Sequence, residues 1–383
     1  VLKSGDFDLF KSDTYASSIL DPFPFWNSYL RTGASQNWSK YSNPDFDALL
    51  DKLATEIDSA ARKDLINQGL DMLDANPPFF LIGDLGHMAG LAARLGLAVR
   101  PIAAPAEAAA AMAAGLPVLA HPLPLPAPLG APSAGNAAAV VAAIARGVEL
   151  VRCGAALALC TNPINKRELQ KGAGFAFAGH TEFLAHLSGA AHAVMMLASP
   201  LLRVVPATVH IPLAAAPAAL TPALLERTLR VTRSALIADF GVAAPRIAVA
   251  GLNPHAGERG AIGREEIEVI APVLDRLRAE GFALVGPLSA DTMFHPAARA
   301  GYDAAVCMYH DQALIPLKTL DFAGGVNVTL GLDFVRTSPD HGTAYDIAPA
   351  LRADPTSLIA ALQLAREMGE ARARRARQPQ GVW

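Results

Sequence analysis

The sequence predicts an α/β protein in which a mainly parallel sheet is covered by helices on both faces. Two observations support this fold class. Short apolar runs alternate with longer segments of helical periodicity from about residue 77 onward, as in strand–helix–strand units. The apolar runs are nearly continuous, which is typical of strands buried on both faces of a sheet. The 383 residues allow one large domain of this kind or two to three ordinary ones.

Seven apolar runs are the predicted strands: FFLIG from Phe79, AALALC from Ala155, AVMMLA from Ala193, RVVPATVHIPL from Arg203, RIAVAGL from Arg246, AAVCMY from Ala304 and VNVTLG from Val326. Between them, TPALLERTLRVTRSALIADFG is a predicted helix with Thr221 as N-cap, Pro222 at its first position and Gly241 as its stop. The segment REEIEVIAPVLDRLRAEG begins with acidic residues and ends with basic residues before Gly281, as the helix dipole favours.

The longest uncharged stretch, residues 108–145, is long enough to cross a bilayer. It carries six prolines between Pro117 and Pro132, which a lipid-exposed helix cannot accommodate. The stretch is therefore predicted to form a strand, a Pro-rich loop and an Ala-rich helix in a protein that does not enter a membrane.

The composition excludes several classes of function. With 52% hydrophobic and 17% charged residues, the chain can form a sizeable core and is not a disordered protein. A net charge of −3 provides no basic field that would attract nucleic acid. The three cysteines, Cys153, Cys160 and Cys307, lie in apolar runs without a Cys-x-x-Cys pair, which indicates reduced thiols in a cytoplasmic protein.

Histidines follow several of the predicted strands. Ligands of an open parallel sheet bind beyond the carboxyl ends of its strands, and His210, His255 and His310 occupy such positions. His180 follows a predicted turn. Three neutral imidazoles converging on one point would form a transition-metal site with open positions for a substrate. Taken singly, each histidine is better explained as a hydrogen-bonded structural residue. Taken together, the three positions support a metal site and a structural role equally.

The stretch HAGERGAIGREE spaces three glycines just before a predicted helix. Backbone amides at a helix start can bind an anion, but the three glutamates of this stretch would oppose a phosphate. The stretch fits neither G-x-G-x-x-G nor a P-loop. A tight turn that positions His255 is the better interpretation.

A further polar cluster lies in KTLDFAGGVNVTLGLDFVRTSPDHGTAYDIA. Lys318, Asn327 and Arg336 are spaced along this segment, and Asp340 and His341 follow. A lysine and an arginine that face one pocket would suit a phosphate or a carboxylate. The alternative is that both cations are solvated and only their stems lie on the protein surface.

Several stretches together resemble one enzyme family: GHTEFLA, ATVHIPL, GLNPHAGERGAIGREE, GPLSADTMF, MYHDQALIPLK and GVNVTLGLDFVRTSPDHGTAYDIA. In this order, from about residue 77 almost to the C-terminus, they are similar to the 4-hydroxythreonine-4-phosphate dehydrogenase (PdxA) family of vitamin B6 biosynthesis. The resemblance implies a three-layer α/β/α fold like that of isocitrate and isopropylmalate dehydrogenases, with two subdomains and the active site in the cleft between them. It also implies a homodimer with active sites shared across the subunit interface.

The resemblance also implies a reaction. Members of the family oxidise the secondary alcohol of 4-phosphohydroxythreonine, and the resulting β-keto acid loses CO2 to give 3-amino-2-oxopropyl phosphate. The hydride acceptor is NAD or NADP. A divalent metal, which is Zn, Mg or Co, would polarise the hydroxyl group and stabilise the charge left when CO2 departs.

The functional residues of the family fall on matching positions of this sequence. The metal ligands match His210, His255 and His310. The residues expected to act in catalysis are His310, Asp291 and Lys318. The substrate contacts match His180, Thr181, Lys318, Asn327 and Arg336. The residues expected to line the cofactor site are His341 and Asp346.

Residues 1–76 depart from this family. The composition changes at residues 75–78, before which the chain is rich in aromatic residues, Ser, Asn and Asp. The stretches DPFPFW and NWSKYSNPDFDALLDKL resemble the C-terminal part of ABC-transporter peptide-binding proteins. Residues 77–383 then resemble a dehydrogenase domain that lacks the family's first strand and its GDPAGIGPE-type loop. We expect a natural or artefactual fusion whose stability is lowered by the missing strand.

Three other functions stay open on the sequence alone. A dehydrogenase of a related phosphorylated hydroxy acid, such as a phosphothreonate or phosphoerythronate, would carry the same motifs. A solute-binding protein is suggested by residues 1–76, but a signal peptide and the other lobe are missing. A folded fusion with impaired catalysis is the third alternative.

Overall fold

The computed structural model describes residues 44–56, 58, 61, 62, 65 and 79–377. The chain divides into two compact units, Val1–Pro78 and Phe79–Trp383. In the first unit, helix α1 spans Pro44–Thr55 and buries Leu49, Leu50 and Leu53 along one face. The resemblance of residues 1–76 to a solute-binding protein lies mostly outside the described residues and stays a prediction.

The second unit contains the following strands in its described part: β1 Leu81–Gly83, β2 Val99–Ile102, β3 Leu116–Ala120, β4 Ala158–Cys160, β5 Val194–Ser199, β6 Leu202–Pro206, β7 Arg246–Ala250, β8 Ala283–Leu288, β9 Ala304–Cys307, β10 Val326–Leu330 and β11 Val335–Pro339. All seven predicted apolar runs overlap a strand, although in RVVPATVHIPL the strand already ends at Pro206. The pattern did not predict β2, β8 and β11, because their apolar residues are interrupted by Arg, Pro or Gly.

The helices of this unit are α2 Leu85–Arg94, α3 Ala108–Met112, α4 Ala137–Arg152, α5 Lys166–Ala173, α6 His180–Ser188, α7 Ala216–Ala219, α8 Pro222–Ala238, α9 Ala271–Ala279, α10 Pro296–Arg299, α11 His310–Leu320 and α12 Thr356–Arg377. The predicted N-cap of α8 is confirmed, since the Thr221 hydroxyl accepts a hydrogen bond from the Leu224 amide at 3.2 Å. The stretch 108–145 contains β3, a loop and the start of α4, as predicted.

Two sheets organise this unit. A three-stranded parallel sheet has the order β1-β3-β2, and an eight-stranded sheet has the order β4-β11-β10-β5-β6-β9-β7-β8. In the larger sheet, β10 is antiparallel to both β11 and β5, and β5 is antiparallel to β6. The other neighbouring pairs are parallel. The predicted mainly parallel sheet is therefore confirmed, with an antiparallel segment at its centre.

The larger sheet is covered on both faces. One face packs on α8, α9 and α12, and the other packs on α11. Neighbouring residues alternate between the two cores, as Val205 and Val204 of β6 show, because successive side chains of a strand point to opposite faces. The predicted three-layer α/β/α architecture follows from this double coverage.

One helical stretch within the described residues, Ala134–Arg152, is long and apolar enough to span a membrane by length and composition. It includes α4, whose Ala137, Ile144 and Val148 are buried in a cluster with Phe183 and Leu184 of α6. The apolar character of α4 is thus used in packing within this unit.

A buried ion pair joins the C-terminal helix to α8. Asp239, at the end of α8, is 3% exposed. The Arg372 guanidinium of α12 binds its carboxylate through two hydrogen bonds, from Nε to Oδ1 at 2.7 Å and from Nη2 to Oδ2 at 2.9 Å. Such a bidentate ion pair holds α12 in a fixed position against the sheet.

We predict that Arg372→Met destabilises the protein by about 3 kcal/mol, because the Asp239 carboxylate is left buried without a cation. Arg374→Met on the same helix is the matched control. Arg374 contacts Glu370 at 3.6 Å while 68% exposed, and its loss should cost less than about 1 kcal/mol. Urea unfolding of both variants measures the difference, and equal losses would show that the buried pair does not anchor α12.

Candidate active site

Two neighbouring cavities of about 530 and 520 Å³ open over the larger sheet. The first, termed the histidine lobe, is lined by His310, Met195 and Leu314 among others. The second, termed the arginine lobe, is lined by Arg336 and His180 among others. The residues that line both are Thr181, His210, Lys318, Asn327 and Asp340. The two lobes therefore form one cleft, and no residue of the three-stranded sheet lines it.

His210 and His310 meet because their strands are parallel neighbours. Pro206 at the end of β6 pairs with Cys307 at the end of β9, and each strand continues into a histidine. The two imidazole centroids lie 5.8 Å apart with 44° between the ring planes. The structure thus brings together two of the histidines that were selected because they follow the carboxyl ends of strands.

The first turn of α11 fixes the orientation of His310. Nδ1 of His310 donates to Oδ1 of Asp311 at 2.7 Å, so in the neutral tautomer the lone pair lies on Nε2, the nitrogen that can bind a metal. Gln312 ties the helix to the sheet, because Oε1 accepts from the Met308 amide at 2.7 Å and Nε2 donates to the Gly251 carbonyl at 2.8 Å. The motif His-Asp-Gln therefore supplies a nitrogen donor, its orienting carboxylate and an anchor.

The His210 imidazole is held in its neutral form. Burial lowers its pKa below the usual 6.5, the neighbouring His310 and Lys166 lower it further, and Glu182 opposes the shift. A metal binds histidine only through the neutral ring. The electrostatics of the cleft therefore favour the form of His210 that a metal requires.

His255 does not join these two histidines within one chain. It is exposed, lines neither lobe and lies in the turn Pro254–Gly260. Asp291 is exposed as well, in a short turn that contacts this segment. Across the described residues, no three His, Cys, Asp or Glu side chains form a metal site. One chain thus gathers two of the three predicted ligands, and their donor atoms suit a divalent metal such as Zn or Co.

The turn that carries His255 has a left-handed backbone, with φ between 44° and 76° from His255 to Arg259. The buried Glu266 carboxylate accepts hydrogen bonds from the amides of Leu252 at 2.7 Å and Asn253 at 2.8 Å. A Cβ on Gly257 would lie 2.4 Å from Oε2 of Glu266, so only glycine fits there. The sequence interpretation of a tight turn is confirmed, and Glu266 anchors the two residues that lead into it.

Arg336 of β11 is the buried cation of the cleft. It is 4% exposed, and its guanidinium donates to the hydroxyls of Thr161 and Thr329 at 2.6–3.2 Å. Burial lowers its pKa to about 10, which leaves it charged at neutral pH. It has no carboxylate partner among the described residues, so an anion entering the lobe would find an uncompensated positive charge.

Strand register places Asn327 beside this cation. Asn327 of β10 pairs with Ser338 of β11, so it lies on the same face as Ser338 and Arg336. The Asn327 Oδ1 atom is buried without a hydrogen-bond partner, which is uncommon in native structures. A bound ligand that donates a hydrogen bond would satisfy it.

The N-terminus of α6 faces the arginine lobe. His180 and Thr181 form its first turn, and no side chain caps the helix at Gly179, which leaves backbone amides available to an anion. Burial lowers the pKa of His180 to about 3, with Arg336 and Lys166 contributing. The imidazole is therefore neutral at physiological pH.

Lys318 lies two turns after His310 on α11 and lines both lobes. Its ammonium forms a 2.7 Å ion pair with Asp340 and lies 5.5 Å from the ring centroid of Phe322.

Of the two predicted cofactor residues, His341 lines the arginine lobe. Asp346 is exposed and lines neither lobe.

The sequence analysis missed the residues that follow β4. Thr161 binds Arg336, and Asn162 and Lys166 line the arginine lobe. The signal was present, because the polar stretch TNPINK follows the predicted strand AALALC just as the histidines follow theirs. Glu182 was missed as well, since it stands inside the first turn of a helix.

Comparison with known proteins identifies similar chains. The family model described as "Pyridoxal phosphate biosynthetic protein PdxA" matches residues 75–365. A 4-hydroxythreonine-4-phosphate dehydrogenase of Paracoccus denitrificans is 64% identical over 233 residues, which are 60% of this chain and 72% of that protein. The same-named protein of a Ruegeria species is 55% identical over 302 residues, 79% of this chain and 91% of the relative.

Solved structures that resemble this chain include an enzyme of the same name as these relatives. The crystal structure of a 4-hydroxythreonine-4-phosphate dehydrogenase from Klebsiella pneumoniae is 38% identical and covers 77% of this chain and 89% of its own, with a TM-score of 0.71. A terephthalate 1,2-cis-dihydrodiol dehydrogenase from Burkholderia xenovorans is 29% identical and covers 78% and 92%, with a TM-score of 0.55. The predicted fold class is thereby confirmed.

We predict that His180 does not take up a proton between pH 8 and about pH 5, because its folded-state pKa is near 3. The unfolded chain protonates this imidazole near pH 6.5, so His180 makes stability rise with pH between about 3 and 6.5. Histidine NMR signals measured across this range, with the His180 signal identified by its loss in His180→Gln, test the prediction. A His180 signal that titrates near pH 6 in the folded protein would contradict it.

Proposed function

The chain belongs to the PdxA family, and on that premise we propose that it oxidises 4-phosphohydroxythreonine with NAD or NADP in pyridoxal phosphate biosynthesis. The relatives are oxidoreductases, and a dehydrogenase of this family uses a nicotinamide cofactor and a divalent metal. The observation that carries the proposal is the pairing of the two imidazoles of His210 and His310 with an uncompensated buried guanidinium in one cleft. This arrangement suits a substrate that carries both a hydroxyl to be oxidised and a phosphate.

The histidine lobe would hold the metal through His210 and His310. A bound Zn, Mg or Co ion supplies a Lewis acid that polarises the substrate hydroxyl and stabilises the charge that develops as CO2 leaves. Asp311 fixes the tautomer of His310 and increases the basicity of its Nε2. The lowered pKa of His210 keeps the second donor free of a proton.

The arginine lobe would hold the anionic end of the substrate. Arg336, His180 and Thr181 lie around this lobe, and the free Oδ1 of Asn327 can accept a hydrogen bond from a hydroxyl or ammonium group. Lys318 stands between the two lobes, where it can contact the substrate from the side of α11. His341, at the rim of the arginine lobe, and Asp346 would contact the nicotinamide cofactor on its adenosine side.

We propose that His255 reaches the metal from a second copy of the chain. Within one chain it is exposed and lines neither lobe, and the same holds for Asp291 on the contacting turn. A surface histidine on a rigid turn can complete the site of a neighbouring subunit in a symmetric dimer. The active site would then require the homodimer that the family resemblance implies, with Asp291 arriving beside His255.

The remaining proposals follow from the family. We place the enzyme in the cytoplasm, as suits a biosynthetic dehydrogenase with unpaired cysteines. Residues 1–76 would be a fused segment that takes the place of the family's first strand, and its effect would be on stability and cofactor affinity rather than on the metal and substrate residues.

A second candidate function is the oxidation of a related phosphorylated hydroxy acid, such as phosphothreonate or phosphoerythronate. One similar structure is named for a dihydrodiol rather than for a phosphate ester, so substrates differ between proteins of this fold. The cation in the arginine lobe favours a phosphorylated substrate but does not select among these acids. A panel of such acids, assayed beside 4-phosphohydroxythreonine, distinguishes the two candidates.

We predict that the purified chain reduces NAD when given 4-phosphohydroxythreonine and a divalent metal, and that a chelator abolishes the reaction because the hydroxyl loses its Lewis acid. NADH formation with and without chelator is the measurement. Turnover that persists after complete metal removal would refute the metal-dependent mechanism.

We also predict that two inactive variants restore each other. His210→Ala and His255→Ala should each abolish activity, but refolding them together should recover about a quarter of the wild-type activity, because half of the randomly formed dimers are mixed and each has one intact site of two.

The matched control mixes His210→Ala with His310→Ala. Both of these side chains belong to the same cleft, so every site in the mixed dimer lacks one ligand and no activity should return. Equal recovery in the two mixtures, or none in the first, would show that His255 does not act in the site of a second copy.

A further inference from the structure

We propose that Lys166 is a substrate-binding residue that acts with Arg336 to select a phosphorylated substrate. The proposal rests on the function proposed above and adds a second cation to the arginine lobe. Lys166 lies in the TNPINK stretch after β4 and lines this lobe. The resemblance to the family did not include it among the substrate contacts.

The position of Lys166 is unfavourable for the helix that carries it. It is the first residue of α5, directly after the N-cap Asn165, whose side chain accepts from the Glu168 amide. A cation at a helix N-terminus opposes the helix dipole and costs a few tenths of a kcal/mol. Helix stability therefore does not explain a lysine at this position.

The ammonium of Lys166 has no partner of its own. Among the residues that the structure describes, it forms no ion pair and no hydrogen bond. The other lysines nearby differ, because Lys318 pairs with Asp340 at 2.7 Å and Lys171 of the same helix pairs with Glu168 at 3.3 Å. Lys166 is thus a second cation of the lobe, besides Arg336, that remains available to a ligand.

The Lys166 side chain lies across the start of α6. A Cβ built on Gly179 would lie 3.4 Å from Cε and 3.5 Å from Nζ of Lys166. Oε2 of Glu182 lies 3.4 Å from the same point, yet it forms no ion pair with the ammonium. The Lys166 ammonium and the uncapped amides of α6 therefore border the same side of the lobe.

Two independent cations match a phosphate better than one. A phosphate monoester carries between −1.5 and −2 charges at about pH 7 and has three strong acceptor oxygens. The buried guanidinium of Arg336 and the free ammonium of Lys166 can each neutralise one charge, while His180 stays neutral beside both. A substrate without a phosphate would leave this pair of charges unsatisfied, so the lobe discriminates against it.

The test is the substitution Lys166→Gln, assayed with 4-phosphohydroxythreonine and with unphosphorylated 4-hydroxythreonine. We expect kcat/KM for the phosphorylated substrate to fall about 30-fold, as for the loss of one strong charge-assisted contact. The value for the unphosphorylated substrate should stay within about twofold, because the missing contact is made to the phosphate.

Two further variants separate binding from structural effects. Lys166→Arg keeps the charge and should recover most of the activity, although Arg and Lys differ in geometry. Lys171→Gln removes an exposed lysine from the same helix and should change neither value. Equal losses with both substrates, or a loss of the same size in Lys171→Gln, would overturn the proposal.

A binding measurement keeps the test independent of turnover. We expect inorganic phosphate, titrated calorimetrically into the full chain, to bind Lys166→Gln about tenfold more weakly than the wild type, which is about 1.4 kcal/mol. If the wild type does not oxidise 4-phosphohydroxythreonine yet phosphate binding depends on Lys166, the proposed function fails and the phosphate site stands. Phosphate affinity that is unchanged in Lys166→Gln would refute the role of Lys166.

Discussion

The burial of the Arg336 guanidinium without a carboxylate is the constraint on which the cleft depends. A cation inside a sheet is tolerated here because its N–H groups donate to the hydroxyls of Thr161 and Thr329, which satisfy hydrogen bonds but add no negative charge. The charge is therefore left for a ligand. Burial lowers the pKa of His180, and the positive charge of Arg336 lowers it further. The cleft thus combines positive charge with neutral imidazoles, as a site that binds both an anion and a metal requires.

The antiparallel centre of the larger sheet is what arranges these groups. Because β10 and β11 run in opposite directions, Asn327 lies opposite Ser338, and the polar residues of both strands share the face that lines the cleft. On the other side of β5, the parallel pair β6 and β9 ends in His210 and His310. Polar residues from distant parts of the chain therefore meet over the middle of the sheet, while the opposite face stays apolar against α8, α9 and α12.

The sequence predicted the parts of this site that follow from local pattern. Apolar runs identified the strands, and the rule for carboxyl ends identified His210 and His310. The same rule applied to β4 would have found Lys166, but a single polar stretch without a histidine carries little signal. The pairing of Asn327 with Ser338 is a property of strand register, which spacing along the chain does not determine. Spacing likewise cannot tell whether His255 completes its own cleft or that of another copy.

The turn that carries His255 has a backbone that would support the ligand role proposed for this residue. A side chain that acts within its own cleft is oriented by the packing around it, as Asp311 orients His310. In the proposed dimer, His255 would extend from the surface and lack such packing before assembly. A flexible turn would then lose conformational entropy on each association. The left-handed backbone runs from His255 to Arg259, and the buried carboxylate of Glu266 anchors the residues that lead into it, Leu252 and Asn253. If His255 acts in a second copy as proposed, the strain of this turn is a cost of fixing the imidazole before the two copies associate.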